Sequence, residues 1–348
     1  MFSTDSMAVQ ALPQTPLMPD SRALPSLLSA KAIWRDLPAW MFFIYGCLLL
    51  NTQLTAMSPP RHDLVHTIIF PLAVFLAFIG AHSLFDPHLT NRARAFGVPL
   101  LLCVALPTIN VLWHQPSPLD TPALLKLYEY SNFFWAGLLI LHAWFHQRSH
   151  VTLFFGVALV YGAALENGGI ILGFFHEWNL GSTMVRPFVA PVATMIGWCV
   201  VVSMGTYVTW SLRRLIPALK RSSVASALVL GTSSTMLDLQ IDPIATALGC
   251  WVWHESLPAW FHGVPMVNFI AWMCALVPFG FVLFRVQERL GLDDFARWSP
   301  KQLGTLLLAT PIALGIAALA FMLCTLLIEG PHGPSWALLG QFTVRLFS

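Results

Sequence analysis

Residues 302–328 read QLGTLLLATPIALGIAALAFMLCTLLI, without one Asp, Glu, Lys or Arg. A helix rises ~1.5 Å per residue and the hydrocarbon core of a bilayer is ~30 Å thick, so about 20 such residues cross it. Working outward, comparable apolar runs lie at about 38–55, 64–85, 96–113, 130–146, 151–172, 187–210, 223–253 and 264–284. The expected fold is therefore an all-α, polytopic transmembrane helical bundle of about 8–9 spans. Composition agrees: of 348 residues 57% are hydrophobic and 10% charged, with a mean hydropathy of +0.70. A soluble domain carries roughly 25% charged residues, and disorder needs low hydrophobicity with high net charge; both classes are excluded. The net charge of +2 gives no reason to expect a nucleic-acid partner.

Basic residues orient the spans. With the N-terminus inside, only Arg61, Lys126, Arg186 and Arg345 of the 18 Lys and Arg fall on outer segments. That asymmetry predicts an N-in/C-out topology, in a membrane taken to be the bacterial inner (plasma) membrane. Four regions are expected. Residues 1–35, rich in Pro and Ser, form a disordered tail, and 36–150 carry the N-terminal transmembrane helices. Residues 151–285 form the catalytic core, and 286–348 hold a cytoplasmic loop, the last span and a short tail. The six cysteines show no CxxC spacing and are read as packing residues.

Ionisable groups at membrane depth are costly, about 2.5–3.5 kcal/mol each on insertion scales, so those present are candidates for function. Three segments hold them: Tyr161 through Glu166 to Phe175, Asp238 through Gln240 and Asp242 to Trp251 and Trp253, and Asn268 with Trp272. Counting ~1.5 Å per residue from the span edges puts Glu166 and Asp238 ~22 Å up, and Asn268 at about the same level. Asp238 and Asp242, spaced i, i+4, share a helical face. Blander readings stand beside this one. Asp242 before Pro243 suits an N-cap, Glu166 could pair with Asn268 or Gln240, and Trp251, Trp253 and Trp260 suit an aromatic belt.

The stretch LDLQIDPIATALGCWVW followed by FHGVPMVNFIAW resembles the carotenoid biosynthesis membrane-protein family, whose characterised members include hydratases of acyclic carotenoid end groups. The matching positions are Asp238, Asp242-Pro243, Gly249, Trp251, Trp253, Gly263-Val264-Pro265, Asn268 and Trp272. A weaker match runs from Glu166 through Gly173 and Phe175 to Trp198. The chain departs from the pattern at Phe175-His176-Glu177-Trp178-Asn179, and has Ala271 where Gly is usual. The resemblance covers roughly residues 155–285.

It implies a hydratase that adds water to a terminal double bond of an acyclic, lycopene- or γ-carotene-like carotenoid without a cofactor or metal. Hydration of such an alkene runs through protonation to a tertiary cation and capture of water. A carboxyl group in an apolar site beside a second one can keep the proton this needs. On this reading Asp238 donates the proton, and Asp242 and Glu166 hold or deprotonate water. Asn268 orients it, while Trp251 and Trp272 stabilise the cation. Trp253, Tyr161, Phe175 and Gln240 complete the expected substrate site. Expected partners are the carotenoid, water, the bilayer and other carotenoid enzymes. Three alternatives remain open here: an intramembrane prenyltransferase of the lycopene-elongase type, a proton-coupled transporter, and a metal site at His176, Glu177, His254, Glu255 and His262.

Overall fold

The computed structural model describes residues 35–43, 45, 46, 49, 121–176 and 188–347. The expected spans 64–85 and 96–113, nearly all of the tail and the departure at Glu177–Asn179 lie outside these residues. A helical segment at 35–43 comes first, followed by α1 (Thr121–His146). The next elements are α2 (Ser149–Ile171), α3 (Val192–Leu215), a single turn α4 (Pro217–Lys220) and α5 (Ser223–Ala247). The chain closes with α6 (Met266–Arg289), α7 (Pro300–Glu329) and α8 (Pro334–Phe347). Among the described residues α2, α3, α5, α6 and α7 are long and apolar enough to cross a membrane. They coincide with five of the runs read from the sequence. α7, which contains the uncharged run 302–328, presents Leu308, Ile312, Leu319 and Leu327 outward, as a lipid-facing helix does.

α5 and α6 form the tightest pair, and two glycines explain why. A Cβ on Gly231 would stand 2.5 Å from Val277 Cγ2, and one on Gly280 would stand 3.2 Å from Ala227 Cα. Small residues let backbones approach where no hydrophobic drive separates protein from lipid. α5 also runs unbroken through Pro243, although proline cannot donate to the Leu239 carbonyl four residues back. Asp242 is therefore an interior helical residue, and the N-cap reading is corrected. The span expected at 223–253 is shorter for a local reason. Gly249 takes φ +70°, and Cys250 N–H donates to the Ala245 carbonyl at 2.8 Å. This is the closing bond of a Schellman cap.

α2 ends the same way. Gly173 has φ +83°, and Phe174 N–H donates to the Gly169 carbonyl at 3.0 Å. The two caps aim their chains at each other. The strands that follow, β1 (Phe175–His176) and β2 (Val252–Trp253), pair antiparallel with Phe175 opposite Trp253. A second pair, β3 (Ala259–Phe261) and β4 (Val264–Pro265), turns through His262 and Gly263, at φ +48° and +82°. Two positive φ values suit a tight hairpin turn. These four short strands are additions to the all-α expectation, and they lie at the end of the bundle that carries the acidic residues.

The opposite end is fixed by buried polar groups. Arg213 pairs with Asp294 at 3.1 Å and bonds Ser226 Oγ at 3.0 Å. His150 meets the Tyr207 hydroxyl at 2.7 Å and the Ala296 carbonyl at 3.0 Å. Together these tie the 290–299 loop to α2, α3 and α5, which sets how α6 and α7 stand against them. α2 carries one irregularity, a π-helical turn at Leu153–Val157. A π-turn inserts one residue and turns everything after it, Glu166 included, by about 100°.

Candidate active site

Asn268, in the first turn of α6, reaches α5 with its side-chain amide. Its Nδ2 donates to Asp238 Oδ2 at 2.9 Å and to Asp242 Oδ2. One nitrogen bridges two carboxyl oxygens, so the two acids lie no further apart than two hydrogen bonds end to end. All three side chains are buried. No hydrogen-bond donor among the described residues reaches Asp238 Oδ1. A buried oxygen without a donor costs about 1–3 kcal/mol, and a proton held between the two acids removes that cost together with their repulsion.

Asp242 and Asn268 line a cavity of about 510 Å³. Glu166 faces the same space from α2, with Trp198 Nε1 donating to its Oε2 at 2.6 Å. Gly162 makes this possible, since a Cβ there would stand 2.8 Å from Trp198 Cγ. Trp198 in turn stacks on Trp272 of α6, with ring centres 4.3 Å apart and planes 15° from parallel. The stack joins the α2–α3 half of the site to the α5–α6 half. Glu166 therefore takes an indole N–H from Trp198, a partner the sequence did not suggest.

Aromatic rings close the strand end. Phe175 and Trp253 pack at 5.4 Å, and both line the cavity. Gly169 leaves room for Phe175, whose Cε1 would stand 2.6 Å from a Cβ. Trp253 donates to Thr246 Oγ1 at 3.1 Å. Trp251 is buried in the cavity wall rather than standing in an interfacial belt, whereas Trp260 is 47% exposed. α7 supplies Leu314, Ala317 and Phe321 to the remaining wall. Exposed Ala164 of α2 and Met322 of α7 also belong to the lining, so the cavity reaches the lipid-facing surface beside them.

The structure thus gathers Glu166, Asp242, Asn268, Phe175, Trp251, Trp253 and Trp272 around one space. Three expected residues stand outside its lining. Asp238 sits behind Asp242, fully buried. Tyr161 gives its hydroxyl to the Ala275 carbonyl at 2.6 Å and packs on Phe279. Gln240 bonds the Met236 carbonyl and faces Gly46. Trp198 entered the sequence reading only as a point of resemblance, with no role. Tyr45, Asn132 and Thr194 also line the space, and none was expected there. In a helix surrounded by apolar neighbours, a lone polar residue gives no sequence signal of the direction it faces. Among the described residues no three His, Cys, Asp or Glu side chains gather as metal ligands would.

The chain matches the model of one protein family, described as carotenoid biosynthesis protein, over residues 130–333, more than half its length. The match extends past both ends of the 155–285 resemblance and takes in α1 and α7, which help to wall the cavity. No curated protein and no solved structure matches the chain. With Glu166, Asp238, Asp242 and most of the cavity wall inside the matched segment, this chain belongs to the carotenoid biosynthesis protein family.

Proposed function

We propose that the protein is a membrane-embedded carotenoid hydratase, adding water to a terminal C=C of an acyclic carotenoid end group. The observation that carries this reading is the Asp238–Asn268–Asp242 arrangement at the edge of an aromatic cavity. Two carboxyl groups held on one amide in an apolar site repel when both are charged, and one proton between them relieves this. Asp242, which lines the cavity, hands that proton to the less substituted carbon of the alkene. The π pair forms the new C–H bond and leaves a tertiary cation, which faces of Trp251 and Trp272 stabilise. Water attacks the cation, and its surplus proton passes to Glu166 and returns through water to the aspartate pair. Asp238 keeps the pair supplied with the shared proton from behind, in place of the direct donor role the sequence suggested.

A long polyene is soluble in lipid and not in water, so entry beside Ala164 and Met322 suits it. A cavity of about 510 Å³ falls within the ordinary range of small-ligand sites and suits one end group. The lining holds no Lys or Arg among the described residues, whereas a diphosphate-using prenyltransferase needs cations for its phosphate oxygens. The test is pigment analysis of a host that makes an acyclic carotenoid, with and without this protein. A product heavier by one water supports the reading. A product lengthened by an isoprenoid unit supports the elongase alternative, and unchanged pigment overturns the hydratase.

A further inference from the structure

A hydrocarbon substrate offers no hydrogen bond, yet a buried polar side chain of the cavity makes none among the described residues. Asn132 of α1 lines the space and is 7% exposed. Several other polar groups of the wall are occupied by the protein. Trp198 holds Glu166, Asn268 holds the aspartates, Thr246 takes the Trp253 N–H, and Ser131 bonds the Tyr45 hydroxyl. Asn132 takes part in none of the hydrogen bonds of the described residues. An amide that lines the cavity with no partner among the described residues is open to a water or an oxygen-bearing ligand group there.

Its place on the wall is specific. Asn132 Oδ1 stands 3.3 Å from where a Cβ on Gly197 would be, so the glycine makes room for the amide. Trp198, the next residue along α3, carries Glu166. Asn132 and Glu166 therefore flank two consecutive residues of one helix, whereas the proton donor belongs to the α5–α6 wall. We infer that Asn132 binds the attacking water, beside Glu166, and then the new tertiary hydroxyl of the product. This rests on the hydratase reading. The balance is unchanged: the amide accepts or donates hydrogen bonds, while the proton leaves water for Glu166.

The test follows the fate of the cation. The protein in lipid vesicles, in D₂O, is given an acyclic carotenoid, and both alcohol and recovered alkene are analysed. In Asn132→Leu protonation persists, but the cation is captured poorly and loses a proton back. Alcohol should fall at least tenfold while deuterium in the recovered alkene rises above the wild-type level. Asn132→Ser, polar and with space for water, should recover most of the alcohol, and it decides the matter if the leucine variant does not accumulate. Unchanged alcohol in the leucine variant or, where that fails to accumulate, no alcohol from a folded serine variant would overturn the inference. So would alcohol and deuterium falling together in a folded leucine variant, which marks a general packing defect. Wild-type protein that forms no alcohol overturns the hydratase reading itself, a separate outcome.

Discussion

The side-chain amide of Asn268 donates to Asp238 at 2.9 Å and, from the same nitrogen, to Asp242. A helix turn away, Trp272 carries the stack on Trp198. One face of α6 thus touches both halves of the site. Asn268→Leu removes the shared donor and leaves two buried acids facing each other. Hydrogen bonds to charged groups contribute about 1.5–3 kcal/mol each, so conversion should fall by two orders of magnitude or more. Pigment analysis at matched protein level reads the effect, and near-normal conversion would remove Asn268 from the mechanism.

Trp198 acts through its N–H and through its ring face. Trp198→Phe keeps a ring against Trp272 and deletes the bond to Glu166. Losing a bond of about 1.5–3 kcal/mol predicts a roughly 10- to 100-fold slower turnover with little change in substrate affinity. A titration of initial rate against carotenoid in vesicles separates the two parameters. A change confined to affinity would assign Trp198 to binding alone.

Neighbouring glycines give opposite forecasts. Gly168 lines the cavity, and nothing lies within 4 Å of where its Cβ would be. Gly168→Leu should therefore block substrate and abolish conversion with the fold intact. Gly169→Ala meets Phe175 Cε1 at 2.6 Å and should lower stability by about 1–3 kcal/mol, as overpacking does. Thermal unfolding in detergent, set beside conversion, checks both.

Asp36, just before the first apolar run, is bound to Arg35 at 2.8 Å and to Arg214 of α3. Burial pushes its carboxyl up, but the two guanidinium groups outweigh that and hold it below the ordinary carboxylate value of 3.8. A depressed folded value means the stabilisation is full above the unfolded value and is lost as pH falls below it. Acid should therefore loosen this end of the bundle from about pH 4 downward. Asp36→Asn should be less stable at neutral pH and lose that acid sensitivity. Melting curves from pH 3 to 7 decide it, and parallel profiles for both proteins would contradict the account.

The sequence made the spans legible because an uncharged run as long as 302–328 has few other uses. It also indicated the acidic cluster, since charge at membrane depth is rare, the residue count set one level for Glu166, Asp238 and Asn268, and the i, i+4 spacing put Asp242 on the face of Asp238. Other features were hidden for physical reasons. The π-turn at Leu153–Val157 leaves no composition signal, yet it sets which way Glu166 points. Pro243 suggested a break because proline disfavours helix locally, and packing of α5 against α6 overrides that preference. Asn132 and Tyr45 join the wall through contacts far along the chain, which spacing does not encode.

The central claim is that Asp242 gives the proton that starts hydration. The direct measurement compares wild type with Asp242→Asn in a host making an acyclic carotenoid, at equal amounts of membrane-inserted protein. The account predicts hydrated carotenoid from the wild type and at least a 100-fold loss in the variant, with unreacted substrate accumulating. Undiminished conversion by Asp242→Asn would contradict it.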